Sequence, residues 1–317
     1  MEFSEYYVAY FDVLGYKDAF KKSEDVSAKL VEGIESSIKT TKDLVSIFND
    51  PSLESIAEMA KIEYKVFSDN ILICRKKREY SLSEIDLVYF LRLIATIQRV
   101  FCEGSRLVVR GGITKGPLYL TNDFVGGKAL IDAVELEESA VCPRIVVNDC
   151  ILSELNPKIQ NDFLKKSIET LYRDLLIKDT DGKSFLNYII VYDAWVSFPK
   201  EGSQSESVEG FEELQKLNSE GRLREPVYNP KNLEDISAIL EKHKEFIEEM
   251  INEFSKSSND ATKEASRQKI LKKYLWLVSF HNKICKNPLY KMPQLKIQLK
   301  SEFNEQTLAF DVSVGLI

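Results

Sequence analysis

A chain of 317 residues, 44% hydrophobic and 29% charged, has the composition of an ordinary globular protein and the length for one large domain plus an appendage. The formal net charge of −7, with Lys and Arg scattered among the acidic residues, argues against a broad basic face that grips a nucleic-acid polymer. It leaves room for a small polyanion whose charge is met locally by metal ions and a few basic side chains. The five cysteines are never spaced C-x-x-C, which argues against a zinc cage and predicts buried free thiols in a reducing compartment. Neither a signal-peptide pattern nor an apolar run of about 18 residues is present, so the expectation is a cytoplasmic protein without membrane insertion.

In chain order, Tyr6–Val13 is β-branched or aromatic almost throughout and predicts a strand buried on both faces, with Asp12 near its carboxyl end before the turn Gly15-Tyr16-Lys17-Asp18. Residues 23–48 carry helical spacing, as one long helix or two short ones. Ile62–Ser68 and Ile71–Cys74 read as strands joined by Asp69-Asn70, a pair suited to a two-residue hairpin turn. Ser81 and Glu84 form a capping-box pattern ahead of a largely buried helix. Arg106–Ile113 and Leu118–Leu120 read as a second hairpin around Thr114-Lys115-Gly116-Pro117. A helix over Ala129–Ala140, a strand over Arg144–Val147 and a late strand over Tyr188–Tyr192 complete this part. The order predicts an α+β fold with a ferredoxin-like sheet. The composition shifts after Pro199, which divides the chain into residues 1–199 and a linker with a mostly helical extension over 200–317; Ile236–Phe254 and Ala265–Cys285 are the expected helices there.

Strand-end carboxylates suit magnesium or manganese, because a hard cation takes oxygen ligands and two acidic groups on neighbouring strands can share metals. Asp12 and Asp69 are the candidates, provided that the two strands lie side by side. Leu14, Gly15 and Tyr16 offer successive backbone N–H groups for a phosphate chain. Lys65 alternates with Phe67 and Asp69, so it is the candidate for contacting a base. The two histidines fit no metal-hydrolase pattern, and Gly111-Gly112 is better explained by strand crowding than by phosphate binding.

Three ordered segments, Phe11-Asp12-Val13-Leu14-Gly15-Tyr16, Lys65-Val66-Phe67-Ser68-Asp69-Asn70 and Arg110-Gly111-Gly112-Ile113-Thr114-Lys115-Gly116, resemble the successive signatures of class III nucleotidyl cyclases. The combination with Phe124–Leu130, Leu136-Glu137 and Pro143-Arg144-Ile145 resembles the pyrimidine cyclases of bacterial Pycsar antiphage systems, over roughly residues 6 to 150. The resemblance implies a class III cyclase catalytic domain in which Asp12 and Asp69 hold two Mg2+ or Mn2+ ions, Leu14, Gly15 and Tyr16 wrap the triphosphate, and Lys65 reads the base. It also implies a homodimer acting on UTP or CTP, with UTP favoured, and a separate effector that responds to cyclic UMP or cyclic CMP. The sequence departs from the class at Ile131 and Glu135, where an Asn and an Arg usually stabilise the transition state. Arg144 is the candidate replacement, ahead of Arg110 and Lys115. A purine cyclase, an inactive nucleotide-sensing module and a structural protein are the alternatives.

Overall fold

The computed structural model describes residues 2–17, 20, 23–48, 62–77, 83–155, 175–189, 195–196, 227–228, 230–256, 261–287 and 290–299. Strand β1 (Ser4–Val13) leads to helix α1 (Glu24–Phe48), the hairpin β2 (Ile62–Phe67) and β3 (Asn70–Lys76), helix α2 (Ser83–Ser105) and strand β4 (Val109–Leu120). There follow β5 (Val125–Gly126), α3 (Lys128–Ser139), β6 (Ile145–Val147), α4 (Asp149–Leu155), β7 (Leu176–Lys178) and β8 (Ser184–Leu186). A two-stranded sheet, β9 (Trp195–Val196) with β10 (Val227–Tyr228), precedes the helices α5 (Pro230–Phe254) and α6 (Ala261–Lys286). The main sheet runs β2-β3-β1-β4-β6-β8-β7, and each of its first four strands is antiparallel to its neighbour among them. With α1 and α2 as crossovers, this is the expected α+β, ferredoxin-like arrangement.

Several local expectations are corrected. Thr114-Lys115-Gly116-Pro117 is not a turn: β4 runs straight through it, with Lys115 opposite Tyr7 and Pro117 opposite Glu5. The cross-strand ladder to β1 outweighs the local turn preference of Gly-Pro. The hairpin β7–β8 is not among the expected elements; of the expected strand at 188–192, Tyr188 and Ile189 lie past β8 outside any strand, and residues 190–192 fall outside the described residues. Ser81 and most of the polar linker over 200–230 also fall outside them.

The two sheet faces differ. Tyr7, Ala9, Phe11 and Val13 of β1 point into the large core, where Phe90 and Phe101 of α2 meet Tyr7 and Phe11 at ring distances of 6.0 and 6.3 Å. Helix α2 is buried nearly all round, as a helix between layers must be. Val8 turns to the other face and packs with Leu72, Cys74, Leu118, Ala129 and Ala133 under α3, where Tyr6 and Tyr10 are partly covered. The large core also contains Ile236, Leu240, Trp276 and Phe280, so α5 and α6 share one core with the sheet across the expected 199/200 division. The five cysteines are free, four of them buried and Cys150 half-buried. Among the described residues no helix is long and apolar enough to cross a membrane.

A buried hydrogen-bond chain fastens α5 to α6 and both to the end of β8. Tyr188 Oη lies 2.7 Å from His243 Nε2, His243 Nδ1 lies 3.1 Å from His281 Nδ1, and His281 Nε2 lies 2.9 Å from the Leu295 carbonyl. Burial keeps both rings neutral, and a carbonyl only accepts, so His281 donates from Nε2 and accepts at Nδ1, while His243 donates from Nδ1 and accepts from the Tyr188 hydroxyl. Burial holds His243 well below the usual histidine range, helped by His281, and burial takes His281 down to about 4 despite the Leu295 bond. An unfolded histidine titrates near 6.5, so the unfolded chain binds more protons as the pH falls from about 6.5 to about 4. The stability owed to these neutral rings is complete above about 6.5 and is lost through that window. The expected loss is about 2 kcal/mol between pH 7.5 and 5 for His281 alone, read from urea denaturation at both pH values. A His281→Gln variant should lose less over the same interval.

Candidate active site

The carboxyl end of β1 places Asp12 between Asn70 of β3 and Arg110 of β4. The β2–β3 turn folds onto this end: the Val13 N–H donates to the Asp69 carbonyl at 2.9 Å. The turn residues are Ser68 and Asp69, closed by Phe67 opposite Asn70, and the positive φ of 60° falls on Ser68 rather than on the expected Asp69-Asn70 pair. The shift by one residue keeps Asp69 at the tip and brings its carboxyl within hydrogen-bonding reach of Asp12. Strand order thus brings the two carboxylates together.

Four further side chains complete the cluster. Asn70 Nδ2 donates to Asp69 Oδ1 at 3.1 Å, and Tyr10 Oη donates to Asn70 Oδ1 at 2.7 Å. Arg110 donates from Nε to Glu137 Oε1 at 2.5 Å, while its Nη2 lies 3.8 Å from Asp12 Oδ2. Glu137 is 5% exposed and projects from the inner face of α3 shared with Ala129 and Ala133. Its place depends on Gly112. A Cβ there would stand 2.4 Å from Leu136 Cβ and 2.5 Å from the Ala133 carbonyl oxygen, so only glycine lets α3 lie this close to β4. Gly112→Ala is expected to push α3 off the sheet, costing about 2–3 kcal/mol; thermal denaturation checks it. Glu137 carried only motif value in the sequence, because a glutamate in a helix reads as a solvated residue until the helix is docked.

Three carboxylates here face one guanidinium. Burial, then the negative charges of Asp69 and Glu137 and a hydrogen bond to Asp69, raise the Asp12 carboxyl to about 7, and Arg110 only partly opposes them. Burial raises Glu137 against the pull of Arg110. Burial followed by Glu137, Asp12, Asp69 and Glu138 raises the Tyr10 hydroxyl. The donor atoms are all oxygens on an acidic cluster short of positive charge, which fits a hard divalent cation. Among the described residues no group of three His, Cys, Asp or Glu converges on a metal position, since Glu137 is turned to Arg110. Two carboxylates therefore fit a cation that takes its remaining ligands from water and substrate phosphates, as magnesium commonly does.

The other expected residues are placed as follows. The Leu14 N–H is used internally, donating to the Val108 carbonyl at 2.9 Å, so the first of the three expected backbone donors is already engaged. Gly15 has φ 89° and open space where a Cβ would stand, while Tyr16 packs on the core with its ring 4.6 Å from that of Phe20. Lys65 is opposite Leu72, which is opposite Tyr10, so it shares the sheet face of Asp12 two strands away; its ammonium donates to the Asn122 carbonyl. Lys115 lies five residues along β4 from Arg110, roughly 17 Å. It pairs with Glu154, which also accepts from Tyr7 Oη at 2.5 Å and pairs with Lys77 at 2.9 Å. Arg144 is the main correction. It is 3% exposed, and its guanidinium is taken by Asp179 and Asp181, with Nε donating to the Ala140 carbonyl at 3.2 Å. Its backbone reaches the site's strand, while its guanidinium is spent on Asp179 and Asp181. Ile131 and Glu135 are exposed on the outer face of α3, away from Ala133 and Glu137.

No protein-family model matches the chain, and no curated protein matches it. Among solved structures it is similar to the guanylyl cyclase Cya2, with 8% identity, 51% of this chain and 83% of that chain covered, and a TM-score of 0.37. It is similar to the adenylyl cyclase CyaB from P. aeruginosa, with 12% identity, 58% and 94% covered, and a TM-score of 0.37. It is likewise similar to the guanylyl cyclase domain of the RhoGC fusion protein from the aquatic fungus Blastocladiella emersonii, with 10% identity, 58% and 95% covered, and a TM-score of 0.38.

Proposed function

We propose that this chain is a metal-dependent nucleotidyl cyclase of the class III kind, converting a pyrimidine nucleoside triphosphate, UTP before CTP, to its 3′,5′-cyclic monophosphate and pyrophosphate. The observation that carries the reading is the meeting of Asp12 and Asp69 at neighbouring strand ends, in an oxygen-rich cluster short of positive charge. The ordered motifs around both residues support it. Mg2+ or Mn2+ held there supplies a more acidic ribose 3′-hydroxyl and charge neutralisation on the triphosphate.

The chain's own groups do the positioning, which is most of what phosphoryl transfer needs. Asp12 and Asp69 hold the cations. Gly15 and Tyr16 begin the turn beside the phosphates. Asn70, fixed by Tyr10, orients Asp69. Lys65 lies on the same sheet face as the reader of the base, released from Asn122 when substrate enters. Arg110 takes the place first given to Arg144, as the guanidinium beside Asp12. The O3′–Pα bond forms as the bond from Pα to pyrophosphate breaks, and the 3′-hydroxyl proton passes to solvent water.

Phe67, Phe124 and Ile131 are each more than half exposed, and α3 presents Ile131 and Glu135 outward, a helix face open to a second copy of the chain, which supports a homodimer. In this reading the protein is cytoplasmic and its product is an antiphage messenger read by a separate effector. The exposed Ile131 in place of a polar group favours a second reading, a nucleotide sensor without turnover. Purified protein incubated with Mn2+ and each of ATP, GTP, CTP and UTP, with an Asp69→Ala control, separates these by mass spectrometry. Cyclic UMP or cyclic CMP absent from the control is the expected result. Cyclic AMP or cyclic GMP overturns the pyrimidine assignment, and triphosphate binding without pyrophosphate release overturns the enzyme.

A further inference from the structure

The loop between α3 and β6 is held by a cluster that the proposed chemistry does not use. Arg144 is bonded to Asp179 and Asp181 in the β7–β8 hairpin, and Asp179 Oδ2 also accepts the indole N–H of Trp276 in α6 at 2.9 Å. Asp179 Oδ1 accepts the Thr180 N–H at 2.8 Å, so both carboxylate oxygens are engaged. The Trp276 ring lies 5.3 Å from Phe185 and 5.7 Å from Phe280. From this clamp two short routes lead to the candidate site. Arg144 Nε and Lys183 Nζ donate to the Ala140 and Ser139 carbonyls, which end the helix carrying Glu137. The Arg144 carbonyl accepts the Gly111 N–H at 3.0 Å, one residue from Arg110.

The clamped loop also carries strain. Val141 has φ 51° and is 64% exposed, a left-handed conformation that costs a β-branched residue about 1–3 kcal/mol and persists only when its surroundings impose it. The grips of Arg144 and Lys183 on Ala140 and Ser139, together with the Cys142 N–H bond to Ala140, impose it.

We propose that Arg144, held by Asp179 and through it by Trp276, is a positioning residue that sets the Arg110–Glu137 pair beside Asp12, so that docking of α6 is required for the geometry of the site. The consequence for metal binding rests on the reading of Asp12 and Asp69 given above; the mechanical part does not. Arg110 and Glu137 touch each other and Arg110 flanks Asp12, so loosening the end of α3 and the entry of β6 moves two of the groups that surround the carboxylate. A charged neighbour displaced in this way typically changes metal affinity about tenfold.

Trp276→Phe tests this, because it keeps an aromatic ring between Phe185 and Phe280 while removing the N–H donor to Asp179. Phe246→Leu, in the same core with its ring edge-on to Tyr274 at 6.0 Å, controls for ordinary loss of packing. Hydrogen exchange is followed by mass spectrometry in peptides covering residues 109–113 and 136–144, and Mn2+ affinity by electron paramagnetic resonance titration. The expected result is exchange about tenfold faster in those two segments and Mn2+ binding about tenfold weaker for Trp276→Phe, with neither change in Phe246→Leu. Equal changes in both variants, or faster exchange confined to α6, overturn the proposal, as does unaltered Mn2+ affinity alongside faster exchange at 136–144. Wild-type protein that binds no Mn2+ refutes the metal-site reading instead, and the exchange rates still decide whether the clamp reaches α3.

Discussion

Asp12→Asn is expected to abolish the proposed cyclisation and, in the same protein, to raise the melting temperature of the metal-free form. The carboxylate is held against the charges of Asp69 and Glu137 in a half-buried site, where Arg110 lies 3.8 Å away and is shared with Glu137. The asparagine is nearly isosteric and uncharged, so it relieves the repulsion and cannot replace the charge that a cation needs. Activity should fall by about 10^3-fold or more, the scale of removing a principal electrostatic group from a reaction of this kind. The stability change has a sign that depends on pH. The folded carboxyl titrates at about 7, above its unfolded value near 3.9, so the folded state binds more protons between the two. Stability associated with this group is fully present below about pH 4 and is lost as the pH rises through about 7. The gain from Asp12→Asn is therefore absent at pH 4 and complete above pH 7, where it amounts to about 1–3 kcal/mol. Calorimetry at pH 5 and pH 8 reads this directly, and Mn2+ should raise the melting temperature of the wild type while leaving the variant unchanged. A variant less stable than wild type at pH 8 would show that repulsion does not govern this cluster.

The second large effect is expected at Arg144, and in stability before catalysis. Arg144 and Asp179 are both almost wholly buried, so removing one partner leaves an uncompensated charge in the core. Arg144→Met should cost about 3–5 kcal/mol, seen as a lower urea midpoint with an unchanged slope. Asp181 is half-exposed and returns to solvent, whereas Asp179 keeps only the Trp276 and Thr180 donors. Burial alone would raise Asp181, but bonds from Arg144 and the Lys183 N–H outweigh it and hold the carboxyl below its ordinary value, and that hold is lost with the guanidinium. The double variant Arg144→Met with Asp179→Leu should recover much of the stability, because no buried charge is left unpaired. A variant with unchanged stability and reduced turnover would restore Arg144 to the chemistry.

The parts of this protein written in local pattern were legible in advance. A run such as Tyr6–Val13 predicts a central strand because both of its faces must be apolar, and the helical spacing over 23–48 settled in the structure as one helix, α1. Asp12 at the end of that strand and Asp69 at a hairpin tip follow from the positions of turns, so the two carboxylates were identifiable one by one. That they meet was not, because contact between residues so far apart depends on β3 pairing with β1, and strand order is a property of the packed sheet. The same limit explains the errors. Lys115-Gly116-Pro117 carries a strong local turn signal that ten paired positions along β1 override. Arg144 looks like an available cation until Asp179 and Trp276, distant in the chain, are packed against it. Glu137 becomes part of the site only because Gly112 lets α3 come within contact of β4. The sequence by itself determined the elements, the exposed or apolar character of their faces and the two acidic candidates, since these arise from interactions within a few residues. Only the tertiary structure decided which charges share a site and which are spent on each other, because the burial and distance that set electrostatic strength come from segments that the chain brings together last.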